Sequence, residues 1–278
     1  MTRVAGAAGG VAFITGGTSG IGLATAELLA AQGTSVVVFA RTQEGLDAAA
    51  AALEARRVSP GQRFAARRLD VSDHAAVGGV MAAAVREAGV PGLLVCAAGR
   101  AFPHYFEDVT YERFDDTMKV NLYGVRNVVA AVAPHMKARR AGHIVNVSSM
   151  AGFVGVFGLT DYCASKFAVV GFSEALRQEL RPFGVGVSVL CPPDTDTPGL
   201  ARENLDKPPE TVAVSAGGGL MQADDVARAL LAGVRRGRFM IVPGGEGRFA
   251  WLVKRYAPSV VDTVMARAVR KTQAKEQR

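Results

Sequence analysis

The chain has 278 residues, 49% of them hydrophobic and 21% charged, enough apolar material for one large core, which excludes a disordered or collagen-like chain. Its formal charge of +7 sits mostly at one end, since residues 246 to 278 carry eight Lys/Arg against three Asp/Glu. The nearly neutral body excludes a nucleic-acid-binding surface spread over the fold.

Met1 to Gly10 is too short for a signal peptide ahead of the first strand. Beyond it, β-branched runs alternate with amphipathic stretches, the pattern of βαβ units around a parallel sheet. In chain order the pattern predicts a strand near Val11 to Ile14, a helix near Ile21 to Gln32, a strand near Ser35 to Ala40 and a helix near Gln43 to Arg57. A strand near Phe64 to Leu69, a helix near His74 to Ala88, a strand near Gly92 to Ala97 and a long helix near Tyr111 to Lys137 follow. The remaining strands fall near His143 to Val147, Val185 to Cys191 and Phe239 to Val242, with helices near Asp161 to Arg181 and Asp224 to Arg236. In the last of these helices Asp224 and Asp225 at the start and Arg235 and Arg236 at the end complement the helix dipole. The expected fold class is therefore α/β: one doubly wound Rossmann-type domain with a seven-stranded parallel sheet over residues 1–245, then a basic amphipathic helical extension over 246–278. Pro192 to Gln222 is too long for an ordinary connection and reads as a substrate lid, with Gly217-Gly218-Gly219 as its hinge.

No stretch reaches the ~20 uninterrupted apolar residues of a bilayer span. Cys96, Cys163 and Cys191 lie at scattered spacings in apolar runs, as buried thiols of a cytoplasmic protein would, and His74, His104, His135 and His143 show no metal-ligand spacing. No metal is expected.

The first strand runs into Thr15-Gly16-Gly17-Thr18-Ser19-Gly20-Ile21-Gly22 and then a helix. Strand, glycine turn and helix N-terminus bind a pyrophosphate, because the glycines admit the backbone to the ligand and free N–H groups favour its charge. Gly16, Thr18, Ser19, Gly20, Ile21 and Gly22 are thus candidate cofactor ligands. An NAD-specific fold would carry an acid at the end of the second strand, where this chain has Arg41. A guanidinium there grips a 2′-phosphate and favours NADPH; the plainer reading is a solvated arginine at a helix start. Asp70-Val71, after the third strand, either meets the adenine or supplies the N-cap of the next helix.

Tyr162 and Lys166, at i,i+4, share a helix face. Ser149 lies just after the fifth strand and Asn121 in the long helix before it. An adjacent ammonium together with an oxidised nicotinamide is expected to lower the tyrosine pKa and fit it for acid–base work.

The glycine loop, Asn121, Ser149 and Tyr162-Cys163-Ala164-Ser165-Lys166 together resemble the short-chain dehydrogenase/reductase family in order and spacing over nearly the whole chain. The resemblance implies that Tyr162 is the proton donor, Ser149 the hydrogen-bond donor to the substrate carbonyl, Lys166 the ribose ligand and Asn121 the holder of a relay water. It implies further cofactor contacts from Ala98, Gly99, Pro192, Thr195 and Thr197, and a homodimer or homotetramer. Two departures stand out: Cys96-Ala97-Ala98-Gly99 replaces the family's Asn-Asn-Ala-Gly, and Pro192-Pro193 its Pro-Gly. Pro192-Pro193-Asp194-Thr195-Asp196-Thr197-Pro198-Gly199, with Glu203-Asn204 and Lys207-Pro208-Pro209-Glu210-Thr211, is similar to the 3-ketodihydrosphingosine reductases within that family. This implies NADPH-dependent reduction of a hydrophobic ketone. A reductase of another apolar ketone, a dehydrogenase of the matching alcohol and a non-catalytic NADP-binding scaffold are the alternatives, and the intact Asn121, Ser149, Tyr162 and Lys166 set argues against the last.

Phe153, Val154, Val156, Phe157, Leu200, Leu220 and Met221 surround the expected site and together suggest an apolar pocket, although each alone reads sooner as a core or subunit-contact residue. In the tail, Phe249, Leu252, Val253 and Tyr256 share one helical face. Such a helix either lies peripherally on an anionic membrane with Trp251 at the interface, or packs on its own domain or a sister subunit.

Overall fold

The computed structural model describes residues 10–215 and 219–276. Its framework alternates strand and helix: β1 (Val11–Thr15), α1 (Gly20–Ala31), β2 (Ser35–Ala40), α2 (Gln43–Ala55), β3 (Phe64–Arg68), α3 (His74–Ala88) and β4 (Leu93–Cys96). The second half continues with α4 (Tyr111–Met118), α5 (Gly124–Arg139), β5 (Gly142–Val147), α6 (Thr160–Leu180) and β6 (Val185–Leu190). Then come β7 (Thr195–Asp196), α7 (Pro198–Glu203), α8 (Pro209–Ser215), β8 (Met221–Gln222), α9 (Ala223–Arg235), β9 (Met240–Ile241), α10 (Gly245–Tyr256) and α11 (Pro258–Glu276). Seven strands form one sheet in the order β3-β2-β1-β4-β5-β6-β9, every pairing parallel, as expected.

Alternation along the strands divides the core between two faces. Phe13, Val37 and Phe39 pack with Val77 and Met81 of α3, Val128 and Val132 of α5 and Val169 of α6. Ala12, Ile14, Val36 and Val38 face the other way, onto Leu29 of α1, Leu46 and Leu53 of α2 and Val226, Leu230 and Val234 of α9. Both faces of the sheet are covered, which is why its strands read as continuous apolar runs. The strand order reverses between β1 and β4, so the crevice at their carboxyl ends is where such a sheet takes a ligand.

The stretch expected to be irregular, Pro192 to Gln222, contains α7, α8 and the paired strands β7 and β8, with Thr195 opposite Met221. Two-residue strands carry no local period, so only the pairing makes them visible. Of the expected glycine hinge, Gly217 and Gly218 lie outside the described residues. The long helix before β5 is one continuous run whose middle, Lys119–Tyr123, widens to a π turn between α4 and α5. Asn121 sits in that turn, the kind of local widening that accompanies functional sites. The tail forms α10 and α11, and α11 packs across α8 and back on α10.

Candidate active site

A cavity of about 1360 Å³ opens at the carboxyl edge of the sheet. Its volume exceeds the roughly 300–1,000 Å³ of ordinary small-ligand sites, which leaves room for a dinucleotide and a second molecule together. Gly16, Thr18, Ser19, Gly20, Ile21, Gly22, Arg41, Asp70, Val71, Ala98, Gly99, Ser149, Tyr162, Lys166, Pro192, Thr195 and Thr197 all line it. Asn121 is the exception, fully buried behind the wall.

The floor at the β1 end is shaped by absent side chains. A Cβ on Gly22 would lie 2.2 Å from the Gly16 carbonyl oxygen, and Gly20, at φ +50°, would drive one into Thr197. Ser19 begins α1 without a side-chain cap, so the first-turn N–H groups remain available to an anion. Arg41 stands exposed at the end of β2 on the cavity wall, with no acid in the position that would hold a 2′-hydroxyl. The residues thus fit a dinucleotide bearing phosphate at both ends of its adenosine.

Asp70 does not cap α3. That task falls to Asp73, whose carboxylate accepts from Ala76 N at 3.1 Å. Asp70 instead accepts from the backbone N–H and hydroxyl of Ser72 at 2.9 and 2.6 Å. Burial works to raise its pKa, but these bonds and the charges of Arg41 and Arg100 outweigh it, so the net shift is downward. Spacing alone leaves the cap open because both aspartates precede the helix, and only the turn between them decides which one faces its N-terminus.

Beyond β5, Ser149 starts a single 3₁₀ turn and accepts from Ala151 N at 3.1 Å. Tyr162 and Lys166 rise from the first turns of α6, and Lys166 Nζ lies 5.4 Å from the Tyr162 ring centre. Burial lowers the Lys166 pKa to about 8, with Cys191 and Glu203 working against it. Tyr162 departs from expectation: burial first and the nearby Glu203 carboxylate second push its phenol above the ordinary range, while a hydrogen bond with Ser149 opposes them. The lysine charge does not overcome desolvation in the protein alone. Asn121 accepts from Arg100 N at 2.9 Å and donates to Arg100 O at 2.9 Å and Ser165 Oγ at 3.0 Å. Its side chain therefore clamps the segment after β4 to α6.

Apolar side chains line part of the cavity, but they are not all those anticipated. Val154, Val156 and Leu200 line it. Phe153 turns instead into a cluster with Val189, Cys191 and Val242, and Trp251 packs there too rather than standing free for a membrane. Phe157 meets Tyr105 edge-on at 5.9 Å, beside the Thr211 Oγ1 bond to its carbonyl at 2.8 Å. Tyr105 donates to Glu210 Oε2 at 3.1 Å, so this group ties α8 to the body. Leu220 is exposed, and Met221 is engaged in β8. The missing wall comes from the tail, where Phe249 and Val253 of α10 and Val261 and Met265 of α11 close the cavity. The shared helical face of Phe249 and Val253 was visible in the sequence, whereas its partner was not. The lid also brings in four charged linings, Asp194, Arg202, Glu203 and Lys207, which no local spacing singles out.

Among the described residues no His/Cys/Asp/Glu group could hold a metal, the three cysteines are free and buried, and no helix is long and apolar enough to cross a membrane.

Comparison with known proteins agrees with this geometry. The short chain dehydrogenase family profile matches residues 10–208. The 3-ketodihydrosphingosine reductase of Mus musculus is 38% identical over 235 residues, covering 84% of this chain and 71% of that protein. The 3-dehydrosphinganine reductase of Danio rerio is 37% identical over 235 residues with the same coverage. Among solved structures, a short-chain dehydrogenase from Sphingobium yanoikuyae in complex with NADPH superposes with TM-score 0.76 at 30% identity, covering 91% of this chain and 95% of that one. A short chain dehydrogenase/reductase from Burkholderia phymatum in complex with NAD gives 0.79 at 29% identity, covering 95% and 96%.

Proposed function

Because the chain belongs to the short-chain dehydrogenase family and is an NAD(P)-dependent oxidoreductase acting between carbonyl and alcohol, we propose that it reduces a long-chain ketone, 3-ketodihydrosphingosine, with NADPH. The observation that carries this reading is that Ser149, Tyr162 and Lys166 share one cavity with the apolar side chains of Val154, Val156, Leu200, Phe249 and Met265. Arg41 supports NADPH over NADH, since its guanidinium matches a 2′-phosphate. Residues 1–245 would form the catalytic unit and 246–278 the outer wall of the substrate channel.

The reduced nicotinamide, when bound, supplies the hydride to the carbonyl carbon. Ser149 donates a hydrogen bond to the carbonyl oxygen as charge develops there, and Tyr162 delivers its phenolic proton to the same oxygen. The upward shift of the phenol keeps that proton in place until it is needed. Lys166, positively charged below about 8, steadies the phenolate that remains and orients the ribose. Asn121 holds the segment carrying Ala98 and Gly99 against α6, which fixes the spacing between cofactor and acid.

A lipid substrate must reach this cavity from an aggregate. Phe249, Val260 and Val264 both line the cavity and stand exposed, so its mouth is rimmed by apolar side chains. Lys254, Arg255, Arg267 and Arg270 lie on the same two helices. This supports peripheral contact with an anionic membrane at the mouth. Exposed Tyr111, Tyr123 and Phe167 on the α4 to α6 side support pairing into a dimer or tetramer.

The test is oxidation of NADPH by the purified protein with 3-ketodihydrosphingosine in micelles, NADH in parallel and Tyr162→Phe as control. Turnover with NADPH, weak with NADH and absent in the variant, is expected. NADPH binding without consumption of the ketone would reject the substrate and keep the family.

A further inference from the structure

Glu203 ends α7 with its carboxyl on the cavity wall, half-buried. Among the described residues it makes no hydrogen bond and no salt bridge. The neighbouring cation is engaged elsewhere, because Lys207 Nζ, its side chain only 6% exposed, lies 3.6 Å from Asp194 Oδ2. Lys166 donates to the Val147 carbonyl and flanks Tyr162. Glu203 is nonetheless close enough to both catalytic side chains for its charge to act on them. A half-buried carboxyl with no hydrogen bond costs stability unless a ligand completes it. Burial accordingly lifts its pKa to about 7, with Asp194 adding to the rise and Lys207, Lys166 and Arg202 opposing it.

A plain ketone offers that carboxyl nothing. A cation beside the carbonyl offers it an ion pair within reach of Tyr162. We propose that Glu203 is a specificity-determining residue that binds an ammonium group on the carbon adjacent to the substrate carbonyl, so that the site selects long-chain α-amino ketones over plain ketones. This rests on the ketone-reductase reading above and deepens it. Lys207 lies within salt-bridge distance of Asp194 and not of Glu203, which leaves the carboxylate open to the substrate. Pairing with the ammonium also cancels the negative charge that Glu203 would otherwise direct at the Tyr162 phenolate left after proton transfer.

The experiment compares two ketones of equal chain length, one carrying the 2-amino group and one lacking it, with the full chain and NADPH in micelles. The proteins are wild type, Glu203→Gln and Glu203→Asp. A charge-assisted contact of this kind predicts that wild type favours the amino ketone by about 10- to 100-fold in KM. Glu203→Gln should remove most of that preference through KM, with kcat for the amino ketone changed only a few-fold, and Glu203→Asp should restore part of it. In wild type the KM for the amino ketone should fall as pH rises through about 7, and in Glu203→Gln it should not. N-acetylation of the amino ketone, which removes the cation without altering the protein, should raise its KM as far as the Gln substitution does. Equal KM for the two ketones in wild type, or an undiminished preference in a folded Glu203→Gln, overturns the proposal while leaving the reductase reading intact. Turnover of neither ketone overturns both.

Discussion

Lys166 Nζ donates a 3.0 Å hydrogen bond to the carbonyl oxygen of Val147, the last residue of β5, so the ammonium is moored to the sheet edge while it faces the Tyr162 ring. The mooring fixes a buried charge at one point between strand and helix. Replacing it by Lys166→Met should therefore lower kcat about 100- to 10,000-fold while the protein remains folded. Stopped-flow hydride transfer measures this directly, and a loss under tenfold would mean that the ammonium only braces α6 against β5.

Arg41 gives a second prediction. Arg41→Ala should raise KM for NADPH about 10- to 100-fold, the worth of a charge-assisted contact, and leave KM for NADH nearly unchanged. Equal effects on both cofactors, measured in parallel titrations, would make Arg41 the solvated arginine of the plainer sequence reading.

His143 gives a pH dependence unrelated to catalysis. It is buried in β5, and the Ser188 hydroxyl donates its one proton to Arg238 O at 2.6 Å, so the 2.7 Å contact requires His143 to donate from Nε2. Burial, aided by Arg177, depresses its pKa from 6.5 to about 4. The unfolded imidazole takes a proton near 6.5 and the folded one resists until about 4. The stability this contributes is complete above pH 6.5 and is lost as pH falls towards 4, about 3 kcal/mol in all. Denaturant midpoints of wild type and His143→Gln across that window should show a flatter decline in the variant; parallel declines would assign acid lability to other groups.

The cavity rim gives the fourth. Phe249→Ser with Val264→Ser should weaken sedimentation with vesicles containing anionic lipid by at least about tenfold, and added salt should weaken wild-type binding in the same assay. Turnover of a short water-soluble ketone should hardly change in the double variant. Vesicle binding that survives both substitutions would place the contact elsewhere.

The framework was legible because its strands are apolar on both faces and its helices periodic, signals that arise within a few residues. The glycine loop and the Tyr162 and Lys166 pair were legible because each chemistry demands a fixed local spacing. What escaped is what depends on a distant partner. β7 and β8 exist only through one another, across the 24 residues between Asp196 and Met221. Whether Phe153 points at substrate or into the Val189 cluster depends on where α10 comes to rest. Glu203 was visible as part of a lid pattern, but that it makes no salt bridge while Lys207 lies beside Asp194 is something no spacing announces.

The wall supplied by Phe249, Val253, Val261 and Met265 lies wholly outside residues 10–208, the span shared with the family at large. Part of the cavity wall is thus written in a separate stretch of the gene from the hydride chemistry, the rest coming from Val154, Val156, Leu200 and Glu203 within the family span. Variation after residue 244 can reshape the channel without disturbing the glycine loop or the acid, and a chimera carrying another relative's tail on this body is the natural starting point for redirecting the enzyme to a new ketone.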